Sequence, residues 1–441
     1  MDFQKFCESR RDFTILYVVD SVFWITGVMA KEMAKKTKPA RSIICAFASL
    51  KEILKENNDR FPLKVDLVHF LISEYANAEN QTFREESAIV SSILHVEQDS
   101  DMKPLEYSDS IMTMSEEWQE HVSARTEKPE NVIKVPVGID FKTFYPAKER
   151  TQVSKIRKKY GIPDDAFVVG FSAKRSSNTS DRKGIDVLEK LIESSSKSQS
   201  KIWWAIRGPG WQDWVERLAG GEGRVTYIPF LLPGKEMGDS YRMLDAFICT
   251  SKIEGGPIPL LEAMATGLPC ISTGVGYALD SIRDGQNGFL APFGDADFFM
   301  EKIQLLQSSP AICSEIGSNA RQTALDSYTW EGVLENLPEL YCKAVDNFEI
   351  RKNGKTTFEA AKWKDFYKVK KHIEIQNHVF ASMELQRIGA VQGGRYYATK
   401  GLMLSPLDPV NIRRFFFWTY FGWLYFKLLS IFSFFKKKPI G

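Results

Sequence analysis

Short apolar runs separated by longer amphipathic stretches recur along most of the chain. In the first third they fall at 15–19, 42–46, 67–71, 93–96 and 110–113, each the length of one strand buried on both faces. A second series follows at 167–171, 201–207, 225–228, 246–250 and 269–273, with helix-like stretches such as 188–194 and 237–244 between the runs. Alternation of this kind predicts α/β architecture with parallel sheets. The run 133–140 contains Pro136 and Gly138 and reads as a linker between the two series. Two doubly wound, Rossmann-like domains are therefore expected at 1–140 and 141–330, and no repeat of solenoid length interrupts them.

Composition narrows the class. The 441 residues are 44% hydrophobic, 26% charged and 12% aromatic, which fits a globular chain and excludes disordered, collagen-like and disulfide-scaffold types. A net charge of +2 argues against nucleic acid as a partner held by bulk charge. The charge is uneven, however. From Asp346 onward there are 17 Lys/Arg against 7 Asp/Glu, so an acidic body carries a basic extension, 346–441. The six cysteines, with no C-x-x-C pair, read as free thiols in a reducing compartment. An amino terminus without a basic-then-apolar profile points to the cytosol.

The stretch 346–414 predicts no definite element, but 415–435 holds eight Phe between Arg413-Arg414 and Lys436-Lys437-Lys438. As a helix it would extend about 31 Å, close to one hydrocarbon core. A spanning helix would place Lys427 near the bilayer centre, at a cost of about 2.5–3.5 kcal/mol. Trp418, Tyr420, Trp423 and Tyr425 suit the membrane interface instead, with the lysines on anionic headgroups. A buried core helix is the third reading. Peripheral or monotopic attachment to the cytoplasmic face of a membrane is the expectation.

Chemistry concentrates in the segment 251–269. The strand 246–250 runs into a loop carrying Glu254, Gly255 and Gly256, and a helix then starts near Pro257 to Pro259 and stops at Gly267. Ligands of open α/β sheets bind beyond the carboxyl ends of strands, and a helix N-terminus offers bare amides to phosphate. The amides of Gly255, Gly256 and Ile258 are suited to that task, whereas Pro257 has none. Carboxylates are poor phosphate ligands and good acceptors for sugar hydroxyls, which suits Glu254 and Glu262. A glycosidase pair could use the same residue types but would explain neither the loop nor the two-domain layout.

Two glutamates separated by seven residues, followed by Ala-Met-Ala-x-Gly-x-Pro, resemble the signature of retaining GT-B glycosyltransferases of family 4 (glycosyl transferases group 1). Neighbouring stretches agree in order: 241–251 before the motif; Gly276 and 282–290 after it; 135–140 with Phe144-Tyr145-Pro146 as the linker; and Tyr328-Thr329-Trp330-Glu331 at the start of a closing helix, 331–345. The similarity covers roughly 131–345. It implies a GT-B fold, two Rossmann-like domains facing a central cleft, and transfer of a sugar from a nucleotide-diphosphate donor to a glycan or lipid-linked acceptor. In that scheme Glu254 holds hydroxyls of the transferred sugar and Glu262 the ribose. Lys183 meets the diphosphate, together with an arginine that could be Arg175 or Arg182, with Lys174 also competing; Arg175 is favoured. His95, read as ending the strand 92–94, would face the reacting sugar, and Gly27 would lie in the glycine loop of the first domain. No cofactor or metal is implied, and Asp99-Ser100-Asp101 reads as a capping or solvated turn rather than a metal site. An epimerase or phosphorylase on the same fold, and a silent sugar-nucleotide binder tethered to a membrane, are the alternatives.

Overall fold

The computed structural model describes residues 5, 8, 12–72, 80–97, 99–176, 182–196, 201–219, 224–352, 363–388 and 390–405. Two six-stranded parallel sheets form two lobes. The first contains β1 (Thr14–Val19), β2 (Arg41–Ala46), β3 (Leu67–Phe70), β4 (Ala88–Ser92), β5 (Ser110–Thr113) and β6 (Val132–Lys134), in the order β2-β1-β3-β4-β5-β6. The second contains β7 (Phe167–Ser172), β8 (Ile202–Arg207), β9 (Val225–Ile228), β10 (Ala246–Cys249), β11 (Cys270–Thr273) and β12 (Phe289–Ala291), in the order β12-β11-β10-β7-β8-β9. This is the paired Rossmann-like architecture that the alternating runs predict.

Burial explains the strand sequences. All six residues of β1, Thr-Ile-Leu-Tyr-Val-Val, are buried, with Ile15 in register with Ser42 on one side and Leu67 on the other. In each sheet the winding direction reverses beside the first strand. The reversal falls between β1 and β3 in the first lobe and between β7 and β10 in the second. Crevices open at the carboxyl ends there, because the loops leaving the two strands diverge to opposite faces.

The expected strand 93–96 is not one. Strand β4 lies upstream at Ala88–Ser92, and only Ile93 extends the ladder, donating its amide to Met112 O at 2.9 Å. Ser91 and Ser92 make the true strand look polar, yet both are buried. Ser92 Oγ meets His69 Nε2 at 3.0 Å, and Ser91 Oγ accepts from Ser108 Oγ at 2.7 Å.

The helices that matter for the site, in chain order, are α1 (Ile25–Lys36), α2 (Phe47–Glu56), α3 (Glu116–Ser123) and α4 (Ile258–Ala265). Three more close the chain: α5 (Leu337–Arg351), α6 (Trp363–Arg387) and α7 (Val391–Leu404). After the second lobe the chain returns to the first. Helix α5 lies on β4 and β5, where Arg351 pairs with Asp109 at 2.9 Å and Leu340 O accepts from Ser110 Oγ at 3.0 Å. Helices α6 and α7 form a hairpin against α2 and β2. Asn377 of α6 accepts from Ala46 N at 2.8 Å and donates to Ile44 O at 2.7 Å, so one side chain completes the bonding at the end of an edge strand.

Cys45, Cys249, Cys270 and Cys342 are buried free thiols and Cys313 is half-buried. Among the described residues no helix is long and apolar enough to cross a membrane. The aromatic segment 415–435 lies outside the described residues.

Candidate active site

The two crevices face each other across a cleft of about 500 Å³. The second lobe supplies the charged wall. Strand β10 ends at Cys249, and the loop behind it is tied to the loop after β7. Lys252 N donates to Arg182 O at 2.7 Å and Thr250 Oγ1 donates to Lys183 O at 2.8 Å. These bonds fix the backbone from which Arg182 and Lys183 project into the cleft.

Lys183 Nζ donates directly to Glu254 Oε1, which also accepts from Ser251 Oγ at 2.9 Å. Arg182 Nη1 stands 3.9 Å from Glu254 Oε2. Burial alone would raise the Glu254 pKa. The charges of Lys183 and Arg182, with the Lys183 and Ser251 hydrogen bonds, outweigh it and hold the carboxyl below its ordinary value. Glu254 is therefore ionised at neutral pH, with a side chain only 11% exposed.

Glu262, on α4, lies along the same wall. Its Oε2 accepts from the Tyr241 hydroxyl and lies 3.4 Å from Arg207 Nη2. Arg207, at the end of β8, also donates to Ser172 Oγ at 3.0 Å and Ser240 Oγ at 2.8 Å. Burial raises the Glu262 pKa against those partners. Arg207 and Tyr241 were not singled out from the sequence. A cation ending a strand beside the winding reversal was the available signal.

The first lobe contributes acids, an imidazole and aromatic rings. His95 lies three residues beyond the end of β4, not at a strand terminus, and its Nε2 is 3.0 Å from Glu97 Oε1 and 3.4 Å from Arg182 Nη1. Arg182 Nε reaches Glu97 Oε1 at 3.1 Å, so the contact bridges the lobes. Burial, then the Arg182 charge, lowers the His95 pKa despite Glu254 and Glu97, leaving the ring neutral near pH 7. Asp20, one residue past β1, also lines the cleft beside Phe23, Trp24 and Phe230. Its carboxyl accepts from the Thr26 hydroxyl and from Ser21 N at 2.7 Å, and burial pushes its pKa up to about 6.

The lobes touch around the glutamate loop. Trp118 Nε1 of α3 donates to Glu254 O at 2.7 Å, and Gly276 N donates to Glu117 Oε2 at 2.7 Å. Val137 N of the linker donates to the Tyr277 hydroxyl at 2.6 Å. A Cβ at Gly255 would stand 2.1 Å from Leu94 O, so only glycine lets the loop pass so close to the first lobe. Gly255, Gly256 and Ile258 all line the cleft.

Two expectations are corrected. Arg175 does not line the cleft. Its Nη1 donates to Gly210 O at 3.3 Å and its guanidinium lies over the Trp211 ring, while Lys174 and Arg182 face the cavity. The reason is the backbone: Arg175 N bonds Pro209 O at 3.0 Å, which turns this residue toward the loop after β8. Gly27 belongs to the first turn of α1 rather than to a loop, and it is not part of the cleft wall. A Cβ there would stand 2.6 Å from Ser21 O and Val22, so glycine permits the helix to start tight against the loop after β1. The Asp99-Ser100-Asp101 stretch forms a short 3-10 turn, with Asp101 Oδ2 accepting from Glu97 N at 2.8 Å. Among the described residues no cluster of three His, Cys, Asp or Glu side chains could hold a metal ion.

Residues 152–323 match the family model described as glycosyl transferases group 1. HepE from Anabaena, solved in complex with UDP and glucose, superposes with a TM-score of 0.61 at 18% identity, covering 75% of this chain and 99% of that one. A GDP-mannose-dependent α-(1-6)-phosphatidylinositol monomannoside mannosyltransferase of Mycolicibacterium smegmatis is 27% identical over 216 residues, 47% of this chain and 55% of that protein. A D-inositol 3-phosphate glycosyltransferase of Stackebrandtia nassauensis is 25% identical over 251 residues, 54% of this chain and 55% of that protein. The chain thus spans less than two thirds of the length of these curated relatives. Residues 152–323 are thus similar to the glycosyl transferases group 1 domain, and they sit on a two-lobed GT-B frame.

Proposed function

We propose that the chain is a retaining glycosyltransferase that moves a sugar from a nucleotide-diphosphate donor to a glycan or lipid-linked acceptor. The observation that carries this reading is the cluster of Glu254, Lys183 and Arg182 at the winding reversal of the second lobe, facing His95 across the cleft. Lys183, Arg182 and the amides opening α4 offer positive charge to a leaving diphosphate. Glu254, ionised and fixed by Ser251, offers a carboxylate to sugar hydroxyls, and Glu262 does the same for a ribose. The HepE complexes with UDP and with UDP-glucose, on the same fold, support this division.

In this mechanism the departing phosphate takes the acceptor proton on the face where the sugar is attacked, so the configuration is retained without a covalent carboxylate. The protein positions the reactants and stabilises charge. Its own cations fill the role a metal would otherwise play at the diphosphate. His95, neutral, hydrogen-bonds the transferred sugar. The aromatic extension suggests attachment to the cytoplasmic face of a membrane, and hence a lipid-linked acceptor in polysaccharide or glycolipid synthesis.

Incubation of the purified chain with a panel of nucleotide sugars tests the reading. The expected product is an acceptor glycoside of the donor's anomeric configuration. An epimer, or a sugar phosphate formed without acceptor, would sink it. Removal of residues 415–441 is expected to release the chain from membranes in a flotation assay.

A further inference from the structure

Toward the carboxyl end of α1, away from the cleft, lies a second cavity, of about 880 Å³, between β2 and the α6–α7 hairpin. Its inner wall is apolar, formed by Val22, Ile43, Ile44, Phe366 and Tyr397. Two polar atoms on this wall, Ser42 Oγ and His378 Nδ1, are enclosed and make no hydrogen bond. Buried polar atoms are rarely left so, because each forfeits its bonds to water.

Charge around them is one-sided. Lys31 and Lys38 line the cavity and, among the described residues, neither has a carboxylate partner; Lys31 Nζ donates only to Val22 O, at 3.1 Å. Lys35 and Lys370 stand at the rim, with Lys35 paired to Glu32 at 2.6 Å. Arg41 donates to Asp12 and lies over the Phe366 ring. Glu374 is the remaining acid of the lining. Lys31 and Lys400 come near enough to His378 that, after burial, their charges lower its pKa, to about 4. No acid is among the groups that shift it. Cations gathered around a neutral imidazole with an idle nitrogen form a cradle for an anion, and the apolar wall behind them is suited to a hydrocarbon chain.

We propose that the cavity between β2 and the α6–α7 hairpin binds a phosphate monoester bearing an apolar chain. The phosphate oxygens would meet Lys31 and Lys38 and, once the side chains enclosing them shift, the orphaned atoms of Ser42 and His378, and the chain would lie against Ile44 and Phe366. This proposal is independent of what the interdomain cleft transfers. The monoester could be a membrane lipid headgroup or a soluble organic phosphate.

Isothermal titration of the full chain tests it, with dioctanoyl phosphatidic acid below its micelle concentration as the probe. Glycerol 3-phosphate and dioctanoyl phosphatidylcholine are run beside it. Phosphatidic acid is expected to bind, unaffected by excess uridine diphosphate. Lys31→Met, which removes a charge, and Ser42→Leu, which fills the cavity and keeps every charge, should each weaken binding about tenfold or more. Phosphatidic acid binding at least tenfold more tightly than glycerol 3-phosphate supports the proposal, and equal binding of the two overturns it, because the apolar wall would then contribute nothing. No binding of either, equal binding of phosphatidylcholine, displacement by the nucleotide, or unchanged affinity in both folded variants overturns the proposal.

Discussion

The two lobes are both six-stranded parallel sheets with one winding reversal, reached by different strand orders, and they use that reversal differently. In the second, the reversal between β7 and β10 gathers Lys183, Arg182 and Glu254 on loops tied together by a backbone bond and a Thr250 hydroxyl bond. In the first, the reversal between β1 and β3 offers, among the described residues, one acid, Asp20, beside the rings of Phe23 and Trp24. In the proposed reaction the second lobe would recognise by charge, which needs a few residues at fixed spacing, and the first by shape and a carboxylate, which can be met by many sequences.

The sharpest way to break this contrast is Glu254→Gln. It keeps the shape and removes the charge that pairs with Lys183, and we expect transfer to fall about 10²–10³-fold in a donor-saturated assay. A variant with ordinary turnover would dissolve the charged wall as the reacting centre. Lys183→Ala should cost about 10²-fold, expressed in kcat/KM for the donor. Arg182→Ala and Arg175→Ala separate the two candidate arginines. Arg182→Ala should weaken nucleoside diphosphate binding about tenfold, whereas Arg175→Ala should leave it within about twofold. Equal effects would show that the cleft wall is wrongly drawn.

On the first lobe, Asp20→Asn should raise the acceptor KM several-fold and leave donor affinity unchanged. Because burial places the Asp20 pKa at about 6, acceptor binding by the parent should strengthen as pH rises from 5 to 7, and that dependence should vanish in the variant.

The smallest effect concerns His69. It is fully buried between Ser92 and the Tyr341 hydroxyl, and burial drops its pKa to about 3 from an unfolded value near 6.5. Between those values the unfolded chain holds the extra proton. Stability is then lost as pH falls, by at most about 1.4 kcal/mol per pH unit. Denaturant titrations from pH 6.5 to 4.5 should show a shallower loss for His69→Gln.

How much of this was legible depends on what kind of signal each part leaves. The parallel sheets were readable because doubly buried strands such as β1 are unbroken apolar runs. Strand β4 was misplaced because Ser91 and Ser92 satisfy their hydroxyls on side chains distant in sequence. The place of Glu254, Glu262 and Lys183 on the cleft wall was legible because one loop, one helix start and one spacing carry them. Arg175 was preferred over Arg182 because spacing alone says nothing of the bond from Arg175 N to Pro209 O that turns the residue aside. Asp20 left no pattern at all: its burial depends on Thr26, Phe23 and a hairpin more than 340 residues away, which supplies Glu384 to Trp24 Nε1 at 3.1 Å.

Helix α5 returns the chain from the second lobe to β4 and β5, so the first lobe is assembled from both ends of the polypeptide. A ribosome therefore releases most of the second lobe before the first can be completed. Cutting the chain near residue 330 would not yield two tidy halves. It would strip the cover from β4 and β5, leave the sealed edge of β2 open, and favour association of the amino-terminal fragment with copies of itself.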